Sequence, residues 1–274
     1  QVMVASPAVE WGNGWQYDEI FKRIKNSISS TDETDKTLGG YETTISPETM
    51  DISALAALII EEQRDSTELL NTQTLSAYDL TKAANAKTAI DAFSIALFEE
   101  YGTNADIKNM YENHRGDLYT VKTIPYYDFD FNNIDTYPYF DVYDFYNRIA
   151  NDTGNFSSEL RTLASNVTAA IDELVIYSYA GSAYTGFTDG KNGIHMLVPQ
   201  GDTTLMGNNY KWYHPFDLSL LDSDPDTYGN LSWCLDSHIT DNVPQSNTVD
   251  NYFELLDAWY DEYDMLGGYN KYRY

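Results

Sequence analysis

A single cysteine, Cys234, stands in 274 residues. That excludes an internal disulfide framework and any metal site built from several cysteines. Cations are scarce as well, with 16 Lys plus Arg against 43 Asp plus Glu and a formal net charge of −27. Such an excess of carboxylates repels a phosphate backbone, which argues against nucleic acid as a partner. No run approaches the roughly 20 consecutive apolar residues that a membrane span needs. The opening residues, "QVMVASPAVE", carry no basic stretch ahead of an apolar core. A signal for secretion would therefore lie before Gln1.

Core material is plentiful, at 42% hydrophobic residues. The 24 tyrosines outnumber the cations. With the acidic balance they give a polar-aromatic surface suited to cationic partners, to calcium, or to solubility outside a cell. Asn151, Asn155, Asn166 and Asn230 each begin an N-x-Ser/Thr triplet, a pattern common by chance.

The run "VMVAS" (2–6) is continuously apolar or small and reads as a strand buried on both faces, stopped by Pro7. A helix is expected from Trp15, with Ile20, Phe21, Ile24 and Ile28 on its buried face and Lys22, Arg23 and Lys25 opposite. Residues 29–45 read as an exposed loop. "SPET" (46–49) reads as a helix start, with Ser46 capping and Pro47 in the first position. Residues 74–102 carry a helical pattern, with Ser76 and Asp79 at capping-box spacing and Gly102 as its stop. "DVYDFYNRI" (141–149) resembles a further helix start. Leu160, Leu163, Val167, Ile171 and Leu174 mark a helix that runs directly into a strand, "LVIYSY" (174–179). A glycine-rich turn leads to another strand, "IHMLVP" (194–199), and a closing helix uses Val249, Tyr252, Phe253, Leu256 and Tyr260. This order predicts an α/β fold, one unit over 1–274, whose sheet carries helices on both faces. "VMVAS", "LVIYSY" and "IHMLVP" are expected in one mostly parallel or mixed sheet, with further neighbours of the first strand encoded before Gln1.

Four stretches in order resemble the clostripain-like cysteine peptidases, a family with a caspase-like fold. "VASPAVEWGNGWQYDEIF" is similar to the segment after that family's catalytic cysteine. "TLSAYDLTKA" resembles its Ser-x-x-Asp-Leu element, and "YPYFDVYDFYNRI" its Asp-Leu-Tyr-Asp-Phe element with Val142 in place of leucine. "NGIHMLVP" keeps the glycine, apolar pattern and proline of a late strand. The resemblance implies the C-terminal part of a secreted or cell-surface endopeptidase that cleaves after Arg or Lys. It implies a His-Cys dyad in which a thiolate attacks the peptide carbonyl and an imidazole moves the protons. In the family both lie before the position of Gln1, so the chain's partners would be a peptide or protein substrate and the upstream N-terminal part of the same precursor.

Within the chain, Cys234 has His238 four residues on, and His195 and His214 earlier. An i,i+4 helix pair would let Cys234 and His238 meet; the plainer reading of Cys234 is a half-buried small hydrophobe. His195 falls in a strand and reads as a packing residue, and His114 as a surface one. By the resemblance, the loop after "VMVAS" lines the substrate pocket. Ser6 would offer a hydroxyl, Glu10 a carboxylate for a guanidinium, and Trp11 and Trp15 an apolar wall. Against that, Glu10 reads equally as a solvated loop charge and Trp15 as a helix cap. Asp222, Asp224 and Asp226 alternate as in a calcium loop, but the glycine and twelfth-position acid of an EF-hand are missing. "DFDFNN" (128–133) is a second acidic stretch of that kind. Two other functions compete with the peptidase: a non-catalytic surface binding or adhesion module, and a calcium-stabilised structural domain.

Overall fold

The structure, a computed structural model, describes residues 1–5, 15–31, 37–38, 41–65, 74–114, 139–181, 186–198 and 249–260. Its centre is a three-stranded sheet in the order β1 (Val2–Ala5), β4 (Thr74–Asp79), β6 (Val175–Ala180). Both pairings are antiparallel, with Val4 opposite Ala77 and Ala77 opposite Tyr177. β2 (Thr37–Leu38) and β3 (Tyr41–Thr44) form one small ribbon, and β5 (Tyr139–Asp141) and β7 (His195–Leu197) another.

Helices cover both faces of the sheet. On one side α2 (Ile52–Asp65) places Ala54, Ala57, Leu58 and Ile60 in a core with Leu75, Ala77 and Tyr177. The alanines keep the helix close to the strands, and α1 (Tyr17–Ser29) adds Ile20 to the same core. On the other side α3 (Ala83–Tyr101), α4 (Ala105–Asn113), α5 (Val142–Asn151), α6 (Ser158–Leu174) and α7 (Tyr252–Tyr260) enclose a larger core. Phe93, Tyr111, Phe145, Tyr146 and Trp259 meet there edge-on or offset, with ring centroids 4.8–6.5 Å apart.

Two expected segments form as read from the pattern. α6 is capped by Ser157, whose hydroxyl accepts from Leu160 N at 3.2 Å, and it passes straight into β6. Gly102 ends α3 with a positive φ of 55°. Four expectations are corrected. Residues 74–79 are a strand, since β4 finds partners on both sides, and this overrides their helical pattern. The cap is Asp79, which accepts from Thr81 N at 3.0 Å and opens a short 3-10 turn (Leu80–Lys82) before α3. "SPET" is a turn, with Met50 N donating to Ser46 O at 2.8 Å; Asp51 caps α2 through Ala54 N. Residues 37–45 hold the β2–β3 ribbon with Leu38 and Ile45 buried, where an exposed loop is expected. On α1, Ile20 is buried and Ile24 half-buried, but Phe21 and Ile28 face outward.

The sheet departs from expectation in two ways. Every strand pairing among the described residues is antiparallel, where a mostly parallel or mixed sheet is expected. β1 and β6 do share a sheet, but β7 pairs with β5 outside it.

The cause lies in the turn before β7. Gly193 is pressed against Ser76 and Ser178 of the central strands, and Gly190 N donates to Ser178 Oγ at 2.8 Å. The turn therefore lies over the sheet face and carries β7 away to β5. Asp141, fully buried, holds this arrangement. Its carboxylate accepts from Asn192 Nδ2 at 2.6 Å, Gly193 N at 2.8 Å and Asp144 N at 3.0 Å, and the last of these caps α5. Burial pushes its pKa up to about 7, against the three donors that hold it down.

Two outcomes are expected. Gly193→Ala puts a methyl group on Ser76 Oγ at a φ of 132°, so it should destabilise the fold by about 3 kcal/mol or more in urea unfolding. Between about pH 4 and 7 the folded chain keeps an Asp141 proton that the unfolded chain has released, so wild-type stability should fall as pH rises through that window and level off above it. Asp141→Asn removes this component, and parallel stability profiles for the two proteins would show that the carboxyl does not titrate there.

Candidate active-site edge

The sheet's topology gathers three connections at one edge. β1 ends at Ala5 opposite Ser76, and β4 begins at Thr74 opposite Ala180, the last residue of β6. Residues 6–14, 66–73 and 181–185 thus all join the sheet at the edge where β1 and β6 finish. In open parallel α/β sheets ligands bind outside the carboxyl ends of strands, and here the carboxyl ends of β1 and β6 share this edge with the amino end of β4. This is the edge that the loop after "VMVAS" was expected to reach.

Of the expected pocket residues, Trp15 is described. It is half-buried, its ring centroid lies 6.1 Å from that of Tyr17, and its carbonyl accepts from Tyr17 N at 2.9 Å. It precedes α1 by two residues, where the sequence pattern starts the helix at Trp15 itself. Ser6, Glu10 and Trp11 lie outside the described residues, as do Cys234, His238, His214, Asp222, Asp224, Asp226 and the stretch 128–133.

A charged cluster that the sequence reading missed stands at the end of α2, which leads into residues 66–73. Arg64 Nη1 donates to Tyr177 OH at 2.7 Å and Arg64 Nε to Asp65 Oδ1 at 2.8 Å, while Nη2 lies 3.5 Å from Glu61. Glu61 also pairs with Arg23 at 3.3 Å, and Arg23 with Glu62 at 2.6 Å. Burial pushes the Tyr177 and Tyr179 phenols up, and Arg64 works against both shifts. Asp189 is exposed by area, yet neighbouring protein raises its carboxyl pKa, again opposed by Arg64. Arg64 is already engaged by carboxylates, so the cluster braces the edge and leaves no free cation to seat an anion. Its only sequence signal was "EEQRD" (61–65) at a helix end.

His195 packs in β7 opposite Asp141, as its strand position implied. The residue is half-buried overall, but both ring nitrogens are shielded, and burial pushes its pKa down to about 3. An imidazole so poorly basic is a weak proton acceptor for a thiol at neutral pH. His114, expected on the surface, is instead wedged between α4 and the turn after α5. Its ring nitrogens face Met110 O at 2.6 Å and Asp152 Oδ2 at 3.0 Å, and its ring meets Phe156 edge-on. Burial works to raise the Asp152 carboxyl, but hydrogen bonds from Asn155 and Gly154 and the nearby His114 hold it below its ordinary value. Among the described residues no three His, Cys, Asp or Glu side chains converge as metal ligands, and no helix is long and apolar enough to cross a membrane.

The clostripain family model matches residues 1–259. Clostripain from Hathewaya histolytica is 39% identical over 286 residues, an alignment covering 99% of this chain and 52% of that protein. The chain thus spans about half the length of the curated relative it matches.

Proposed function

The chain belongs to the clostripain family, and from that premise we propose that it is the substrate-pocket part of a secreted cysteine endopeptidase with a caspase-like fold. The observation that carries the reading is the family match over 1–259, joined to the convergence of three connections on one sheet edge. The nucleophilic cysteine and its histidine are assigned to polypeptide before Gln1. There the thiolate sulfur adds to the scissile carbonyl carbon, the amine leaves with the imidazolium proton, and water then hydrolyses the thioester. Residues 1–274 supply the wall of the cleft. Ser6 and Glu10 receive an Arg or Lys side chain, Trp11 and Trp15 flank its aliphatic stem, and the Arg64–Tyr177 contact stiffens the sheet edge from below.

The alternative internal dyad is disfavoured. For Cys234 with His238, "NLSWCLDSH" (230–238) offers no glycine-rich oxyanion element, and His195 is too weakly basic to stand in for His238.

Two measurements test the proposal. The intact protein should cleave peptides after Arg or Lys and be silenced by a thiol-alkylating agent, Cys234→Ala should keep that activity, and residues 1–274 alone should have none. Loss of activity on Cys234→Ala would move the nucleophile into this chain, and an intact protein inert toward all peptides would leave the binding-module reading in its place. Glu10→Gln should lower kcat/KM for Arg substrates about a hundredfold, or ~2–3 kcal/mol, because it unpairs a shielded charge, and should change apolar substrates far less. An equal loss for both classes would remove Glu10 from the pocket.

A further inference from the structure

Helix α1 carries more apolar surface than its own fold covers. Its buried side turns Ile20 and Ile24 into the core that includes Val2 and Val4. At about 100° per residue, Tyr17, Phe21 and Ile28 fall within about 40° of one another, beside that buried side. They are 58%, 66% and 71% exposed. The stripe they form runs about 16 Å along the helix. Lys25 borders it on the far side, so the apolar arc is too wide for contact with α2 alone and stops where charge begins.

The neighbouring strand is incomplete in the same direction. β1 pairs with β4 on one side, and among the described residues no strand pairs with its other side. Met3 alternates with Val2 and Val4, so it faces the opposite side of the sheet from α1, and it is 43% exposed. Apolar surface is therefore open on both faces of the sheet at the β1 edge, whereas the interior of β4 is buried on both faces. A second copy docking helix to helix would cover only one of these faces. An occupant that wraps the edge covers both, and the relative that this chain matches has about as much polypeptide outside the match as within it.

We propose that polypeptide preceding Gln1 in the intact protein seats on the Tyr17–Phe21–Ile28 stripe and continues round the open edge of β1 to cover Met3. This rests on the reading that the dyad-bearing part of the protein precedes Gln1. Packing there fixes the upstream part against the helix that follows the pocket loop, so the two halves of the cleft share one apolar joint.

The test is photo-cross-linking of the intact protein, with benzoylphenylalanine placed at Phe21, at Ile28 and, as an outward-facing control on α3, at Thr88. The expected result is cross-links from Phe21 and Ile28 to peptides preceding Gln1, unchanged on dilution, and loss of those cross-links at Thr88. Cross-links confined to residues 1–274, cross-links to a second copy that fade on dilution, or none at either stripe position despite incorporation verified by intact mass would each overturn the assignment. Peptidase activity is read separately: cross-links to the upstream part in a protein without thiol-dependent turnover would keep the joint and reject the peptidase reading, and turnover without such cross-links would do the reverse.

Discussion

The buried carboxylate of Asp141 is the constraint around which the larger half of the fold is arranged. A carboxylate out of water needs hydrogen-bond donors, and here three are supplied by one turn and one helix start. Asp144 N comes from α5, and Asn192 Nδ2 and Gly193 N from the turn before β7. The bonds continue outward: Thr188 N donates to Asn192 Oδ1 at 2.6 Å, and Tyr78 OH of the central strand to Gly193 O at 2.7 Å. One side chain thus fastens a helix, a ribbon and the sheet. All three contacts to Asp141 are donors, so the ionised form satisfies them best even while burial favours the neutral one. The opposition between the two is the source of its displaced pKa.

That network explains features that look unrelated in the sequence. Ser76 and Ser178 stand in the central strands where the backbone of the Gly193 turn lies against them. Gly193 has no Cβ because the serine is already there. On the opposite face no such turn intervenes, and α2 meets the strands directly through alanines. The two faces of one short sheet are therefore covered by different means, an alanine-faced helix on one and a hydrogen-bonded turn under a helical layer on the other.

The parts of the fold legible in the sequence were those whose local and tertiary preferences agree. α6 carries a cap, five spaced apolar residues and a strand directly behind it, and α5 begins at an aspartate that caps it. β4 was illegible because "TLSAYD" has few β-branched residues and contains a genuine capping signal, which acts only from Asp79 onward. Its strand character comes from neighbours far away in the chain, such as Ala5 opposite Ser76 and Ser76 opposite Ser178. Similarly, α1 was read with all its apolar residues inward, since periodicity reports that an arc is apolar and not which elements reach it. At the candidate site, the order of strand and loop is enough to say that the connection after β1 leaves from the candidate edge, while Ser6, Glu10 and Trp11 themselves lie outside the described residues. The Arg64–Tyr177 contact spans 113 positions and leaves no trace in local spacing.

The latch and the edge are mechanically one system. β6 ends at Ala180, and the turn that Asp141 grips begins only a few residues later at Gly186. The connection at 181–185 is therefore held at both ends, by the central sheet on one side and by the bonded turn on the other. A second connection, 66–73, starts from Asp65, whose neighbour Arg64 is bonded to Tyr177 of that same strand. Two of the three connections at the edge thus depart from points fixed by hydrogen bonds to β6 or its turn. Fixed end points shrink the conformational space open to the segment between them. The third, 6–14, is anchored at β1 and at Trp15, and the exposed stripe of α1 begins directly after it. The helix that follows this anchor is also the one whose apolar arc its own fold leaves open, so the end of the sheet and the open face of α1 meet at one point in the chain.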